Sequence, residues 1–490
     1  MSVAPAGRGQ PRRARVVVIG AGLTGLATAW HLRDDVEVTL LDASASPGGQ
    51  IRTVAFDGAD LDVGADALLA RHAEGMALLR DLGFDGDDLV APATGRVGLW
   101  IEGRLRPLPE HTVMGVPTDL TAVLRSRALT PAAVARAALE PLLPRRHLPG
   151  DRSVADLVGE RFGRQVVDRL VEPLLGGVYA GQPERLSARA TIPPVWAAAQ
   201  SHRRVTDGLR AHRERAAGDD RPVFVTVRGG LGRVVDRLAD DLGARLQPST
   251  PVRVLVADGS SWRIELADRV VVADQVVLAV PVAVAARMLA EVVPEPAREL
   301  AGIRCASVGV VALAYDWADA AGVPQLSGVL VPRGERRLVK AVTLSSRKWP
   351  HHAEHPRFLL RASVGRVDDT SALALDDDSL ADRVDAEVRW ALGLRAPAVE
   401  RLVVRWRDAL AQYDVGHRER VDRIRLALAS DAPSLHVGGA GLDGLGLAAR
   451  ARDALRLAQA VRTEARRAGF PVEPYPEPDP DPAPTVVERT

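Results

Sequence analysis

One cysteine in 490 residues, Cys305, excludes a disulfide framework and any zinc site built on thiolates. Lysine is nearly as scarce: among 64 basic residues only Lys340 and Lys348 are lysines. Aromatic residues make up 4%. Scarce lysine beside abundant Ala, Arg, Asp, Gly and Val reads as the coding bias of a GC-rich genome. Charge of one sign is missing too. The 64 basic and 63 acidic residues leave a net charge of +1. That excludes a nucleic-acid or membrane face built on bulk charge and leaves only a local patch. The longest apolar run, 270–293, is broken by Asp274, Pro281 and Arg287, whereas a membrane-spanning helix needs about 20 apolar residues. Arg8, Arg12, Arg13 and Arg15 open the chain without an acid, yet Val16–Ile19 is too short for the core of a secretory signal. These absences predict a soluble, cytoplasmic protein with a loose basic start.

What is present is globular material, 47% apolar and 26% charged. That fills large cores and excludes disorder of the whole chain. The length allows about three domains, and no internal repeat is visible. The tail 471–490 alternates proline with Glu or Asp, and it is expected to be disordered, as are residues 1–14.

Arg15–Ile19 reads as a buried strand, Gly20–Gly25 as a glycine turn, Leu26–Arg33 as a helix, and Val36–Leu41 as a second strand ending at Asp42. The middle, 118–215, reads as helical, with starts at Thr130-Pro131 and Ser153. Strand-like runs return at 223–227, 252–256, 262–266, 270–272 and 276–279, followed by a mixed stretch over 308–425. The end is a strand at Leu435–Val437, then glycines, then a helix over Ala448–Arg467. Strand–glycine–helix units at both ends predict an α/β chain whose nucleotide-binding domain is assembled from separated pieces.

Gly20-Ala21-Gly22-Leu23-Thr24-Gly25 fits G-x-G-x-x-G in the required context of strand, helix and downstream acid. Gly20 allows the tight turn, Gly22 admits a pyrophosphate close to the backbone, and Gly25 lets helix and strand pack. The helix N-terminus offers N–H donors to phosphate, and Asp42 can accept from ribose hydroxyls. Pro47-Gly48-Gly49-Gln50 follows, and a third glycine segment spans Gly438–Gly446. Gly229-Gly230-Leu231-Gly232 lacks the spacing of a second nucleotide motif. Without a second dinucleotide site, electrons are expected to enter from a substrate and leave to oxygen or another acceptor.

With these residues the chain, over about 15–467, resembles the FAD-dependent protoporphyrinogen/coproporphyrinogen oxidases of the amine-oxidase-like flavoproteins. The porphyrinogen branch is marked by Val171–Gly181 (VEPLLGGVYAG) with Leu186-Ser187, by Ala306–Tyr315, by Gly328–Pro350, and by Gln412–His417 (QYDVGH). The resemblance implies a Rossmann-like FAD-binding domain of the p-hydroxybenzoate hydroxylase/amine oxidase type. It is interleaved with an α+β substrate domain that contains a helical insert. The FAD-binding pieces are expected at 15–92, 221–295 and 431–468, and the substrate pieces at 93–220 and 296–430. Cofactor residues carried over by the resemblance are Gly20, Ala21, Gly22, Leu23, Thr24, Gly25, Asp42, Ala43, Gly49, Gln50, Gly64, Ala65, Asp66, Ala67, Val252, Ala440, Leu445, Gly446 and Leu447. Ala65 stands where the family usually has proline, Ala67-Leu68 where it has Ser-Phe, and Gly441-Leu442-Asp443 in a more aromatic-acidic stretch.

The implied reaction removes a hydride from a bridge carbon and a proton from a ring N–H of a porphyrinogen. Three such oxidations make the macrocycle aromatic, with O2 as acceptor and H2O2 as product. The gain in aromaticity leaves no need for a strong protein base, and no catalytic residue is assigned. His72 reads as a surface histidine and His417 as a packed one. Carboxylate side chains of the substrate call for arginine; Arg71, Arg96 and Arg104 are the candidates, with Gly176, Gly177 and Tyr179 as cavity wall. The basic, amphipathic stretch Leu120–His147 reads as a helical lid, with at most peripheral membrane contact. Other heme-pathway enzymes are expected partners; nucleic acid and metal are not. Two other readings stand beside this one. An amine oxidase of the same superfamily needs a lysine and an aromatic cage at the flavin, and 435–450 holds no aromatic. A non-catalytic FAD- or porphyrin-binding carrier would fit the departures at Ala65, Ala67 and 441–443.

Overall fold

The computed structural model describes residues 12–144, 148–219 and 221–472. The tail expected to be disordered falls almost wholly outside these residues, as do Arg145, Arg146, His147 and the first eleven residues. Where the expected loose ends are described, they are docked. Arg12 pairs with Asp274 at 2.6 Å, Ala14 is buried, and Val472 packs on the core.

Five parallel strands form the first sheet: β1 (Arg15–Ile19), β2 (Glu37–Leu41), β3 (Leu246–Gln247), β4 (Gln275–Leu278) and β5 (Leu435–Val437), in the order β3-β2-β1-β4-β5. Strands covered on both faces need continuous apolar runs, which VVVI, TLL and VVL supply. The sheet thus draws on three stretches far apart in sequence. Helix α1 (Leu23–Leu32) begins three residues earlier than the sequence pattern suggests, because Gly22 already serves as its N-cap. Gly20 sits at φ +104° with its α-carbon against Ala279, where any side chain would strike backbone at 2.6 Å. The last helix, α2 (Leu447–Arg467), lies beside α1 and runs parallel to it. Thr28 reaches the Ala454 carbonyl at 3.4 Å and Arg462 pairs with Asp35 at 2.7 Å.

The second sheet has seven strands, in the order Glu400–Ala411, Cys305–Asp316, Arg357–Val364, Val339–Thr343, Gly328–Leu330, Val97–Ile101 and Arg104–Pro107. All neighbours are antiparallel except Gly328–Leu330 with Val97–Ile101. The helix Asp377–Leu392, capped by Asp376, covers one face. Helices between Leu120 and Ala217 form a separate layer; Thr130 and Ser153 cap two of them as the sequence suggests. In the expected lid, Leu124, Leu139 and Leu142 are exposed, and Arg136 donates to the carbonyls of Glu160 and Arg161. Among the described residues no helix is long and apolar enough to cross a membrane.

Candidate functional site

A cavity of about 370 Å³ opens at the carboxyl ends of β1, β2, β4 and β5 and is closed on its far side by the second sheet. Ligands of open α/β sheets bind at this edge. Three loops form its floor. In the first, Gly22 caps α1 with no side-chain bond, and a Cβ there would meet nothing within 4 Å, so bare backbone faces open space. Gly25 is held for the opposite reason: a Cβ would lie 1.8 Å from the Gly20 carbonyl. In the second, Gly48 donates to the Ala21 carbonyl at 2.7 Å, and Gly49 comes so close that its Cβ would stand 3.2 Å from the Gly22 α-carbon. Asp42 ties these together by accepting from the backbone of Ala21 and, at 2.6 Å, of Ser44.

The third loop, 438–446, is held from outside. Gly439 donates to Asp453 at 2.7 Å. The Tyr413 hydroxyl accepts from Gly444 at 2.6 Å and donates to the Ala440 carbonyl at 2.8 Å. His417 stacks on Tyr413 at 4.0 Å and reaches the Leu442 carbonyl at 3.0 Å. The QYDVGH segment is thus a latch on this loop, and His417 is buried in it. Gln412 extends the latch to the Tyr179 carbonyl at 2.7 Å.

Gly20, Gly22, Leu23, Thr24, Asp42, Ala43, Gly49, Gln50, Ala65, Val252, Ala440, Leu445 and Leu447 line the cavity. Val252 does so from the loop before the strand Val254–Asp258, two residues later than the strand start read from sequence. Ala21, Gly25, Gly64, Asp66, Ala67 and Gly446 are not among the residues that line it. Gly64 is packing: its Cβ would fall 2.0 Å from the Gln50 carbonyl. Asp66 is consumed by Lys348 and Arg361, each at 2.8 Å. Burial opposes its charge, but the two cations outweigh burial and hold its pKa well below the usual range.

The expected substrate residues are not brought to this cavity. Arg71 is occupied by the carbonyls of Asp219 and Arg221 at 3.1 and 3.2 Å. Arg96 is exposed beside the strand Val97–Ile101, and Arg104 is exposed on its partner strand. Gly176, Gly177 and Tyr179 belong to the helix Glu172–Tyr179, whose C-cap is Ala180 at φ +53°. The Gly176 carbonyl accepts from the buried Lys340 at 3.2 Å, Gly177 is exposed, and Tyr179 packs on Tyr413. His72 caps a surface helix.

Several wall residues, Cys305, Asp408 and Ala409 among them, were not foreseen. Cys305, Asp408, Ala409 and Ala411 come from the edge strand Glu400–Ala411 and its neighbour Cys305–Asp316, and Gln50 donates to the Ala409 carbonyl at 2.5 Å. Burial and then Asp408 push the Cys305 thiol up to about 11, so it stays protonated. Asp408 holds φ +46°, a left-handed conformation beside the bulge at Ala306/Val308. Arg450, in the first turns of α2, is 7% exposed, and none of its guanidinium nitrogens has a hydrogen-bond partner. Burial pulls its pKa down. The buried Thr24 hydroxyl on α1 is equally unpartnered. Two uncapped helix starts, bare glycine backbone, an unpartnered cation and an unpartnered hydroxyl fit an anionic dinucleotide.

The family model for flavin containing amine oxidoreductases matches residues 23–461. A coproporphyrinogen III oxidase of Mycobacterium leprae (strain TN) is 36% identical over 468 residues, covering 92% of this chain and 98% of that protein. A coproporphyrinogen III oxidase of Bacillus subtilis (strain 168) is 32% identical over 447 residues, covering 88% and 94%. The crystal structure of a protein from Exiguobacterium sp. 255-15 superposes with a TM-score of 0.82 at 27% identity, covering 94% of this chain and 100% of that one.

Proposed function

The chain belongs to the flavin containing amine oxidoreductase family, and we propose that it dehydrogenates coproporphyrinogen III to coproporphyrin III with bound FAD. The observation that carries the cofactor half is the cavity floor. Of its lining residues, Asp42, Ala43 and Val252 would hold the adenosine end, Gly22, Leu23 and Thr24 the diphosphate, and Gly49, Gln50, Ala440, Leu445 and Leu447 the flavin end. The similarity to two coproporphyrinogen III oxidases over most of each chain supports the substrate. When bound, FAD supplies the two-electron acceptor, and O2 is the proposed final acceptor with H2O2 as product.

The protein's own part is orientation and exclusion of water. Ala409, Ala411 and Cys305 present an uncharged wall opposite the glycine turn. Asp408, from the same strand as Ala409 and Ala411, is an acid that lines the cavity. The amine reading finds no support in the site. No aromatic side chain and no lysine line the cavity among the described residues, and Lys348 and Lys340 are committed to Asp66 and Gly176.

The test is aerobic incubation of the yellow protein with coproporphyrinogen III, protoporphyrinogen IX or a primary amine. Porphyrin fluorescence and peroxide with the first are the expected result. Turnover of protoporphyrinogen alone corrects the substrate, turnover of the amine alone replaces the reading, and bound flavin inert to all three makes the protein a carrier.

A further inference from the structure

Arg450 is the one basic side chain among the described residues lining the cavity, where the other charged groups are Asp42 and Asp408. A buried, unpaired guanidinium is costly unless something compensates it. The nearby acids do not. Asp453 is taken by Gly439 and by Arg456 at 2.7 Å, and Asp443 is taken by Arg425. The Tyr413 hydroxyl is taken by Gly444 and Ala440. All three guanidinium nitrogens are left buried and without a hydrogen-bond partner in a residue that lines the cavity.

The helix pairing says which part of a ligand they face. α1 and α2 run parallel and touch at Thr28 and Ala454. One turn earlier on each stand Thr24 and Arg450, both buried, unpartnered and on the cavity wall. The two helix starts therefore converge, and Gly22 lies at the start of α1. The anionic part of a dinucleotide is its diphosphate, and a planar guanidinium matches phosphate oxygens in pairs. No cation of the Gly48-Gly49 loop lines the cavity, and Gln50, which does, is neutral and donates to the Ala409 carbonyl.

We propose that Arg450 is the cationic ligand of the cofactor's diphosphate, reaching from α2 across to the phosphate loop of α1. The inference deepens the cofactor assignment and rests on it. Arg450→Met keeps the bulk and removes the charge. Full-length wild type and variant, freed of flavin, are titrated with FAD, ADP and riboflavin, and the flavin-free melting points are compared. The variant is expected to lose about tenfold or more in affinity for FAD and for ADP. Riboflavin, which has no phosphate, is expected to bind both alike. The flavin-free variant is expected to melt at or above the wild-type temperature, because a buried unpaired charge has been removed. Affinity for FAD within about twofold of wild type overturns the proposal. So does loss of FAD and riboflavin binding with ADP unchanged, which places Arg450 at the flavin ring. A parallel fall in melting point and in all three affinities also overturns it, because it makes the residue structural. Wild type that binds no FAD contradicts the cofactor assignment itself.

Discussion

The Gly20–Gly25 and Gly229–Gly232 turns both lead from a strand into a helix, and of the two only the first is open to a phosphate. Gly20–Gly25 leads from β1 into α1, whose start carries no side-chain cap and opens on the cavity. Gly229–Gly232 leads from the strand Phe224–Val227 into the helix Gly232–Leu242. There the first donors are already occupied: Leu231 donates to Asp62 at 3.0 Å and Gly232 to Thr53 at 2.8 Å. Gly230 is pressed against Thr53, where a Cβ would lie 2.5 Å away. The chemistry of the two turns is the same. An anion site is a helix start left unfilled by the protein, and the second turn has been filled from within by Asp62.

Substitutions break this contrast in graded fashion. Gly25→Val drives a branched side chain into the Gly20 carbonyl and is expected to cost about 3 kcal/mol or more, seen as loss of soluble, flavin-loaded protein. Asp62→Ala empties the second turn and leaves Leu231 N–H and the Thr53 hydroxyl unsatisfied, at about 2 kcal/mol by denaturant unfolding. Burial, opposed by Thr53 and Arg361, raises the Asp62 pKa from 3.8 to about 6. Its contribution is therefore present in full below the unfolded value and lost as pH rises through about 6. Unfolding of wild type across that window is expected to show a fall in stability that Asp62→Ala lacks. Gly22→Ala has room for its methyl group, so the flavin-free protein is expected to melt as wild type does. The methyl group would enter the space proposed for the phosphates, and FAD affinity is expected to drop about tenfold, or about 1.4 kcal/mol. Tyr413→Phe removes the latch on the third glycine loop at about 1 kcal/mol, read as faster flavin release.

The same contrast explains what could be read in the sequence. The glycine turn, Asp42 and the double glycine are local in the chain, so spacing alone places them beside one another. The early start of α1 is visible only once Gly22 is seen to cap it. Cys305, Asp408 and Ala409 reach the cavity through strand pairing, and Gln50 meets Ala409 across 359 residues of chain. No local pattern carries that information. Arg450 sat in a helical run rich in arginine, and nothing in its neighbours marked it as the one left without a partner. Arg71 and the helix at 172–179 do not line this cavity, for the converse reason. Their partners, the 219–221 carbonyls, Lys340 and Gln412, are remote in sequence and satisfy them away from the cavity. Asp66 is the same case, a carboxylate beside the cofactor loop that Lys348 and Arg361 claim first.

The most direct test of the account is an anaerobic titration of the flavin-loaded protein with coproporphyrinogen III. Bleaching of the visible flavin absorbance is expected, with one coproporphyrin formed for every three flavins reduced and the colour restored by air. An absorbance that stays unchanged at excess coproporphyrinogen III would contradict it.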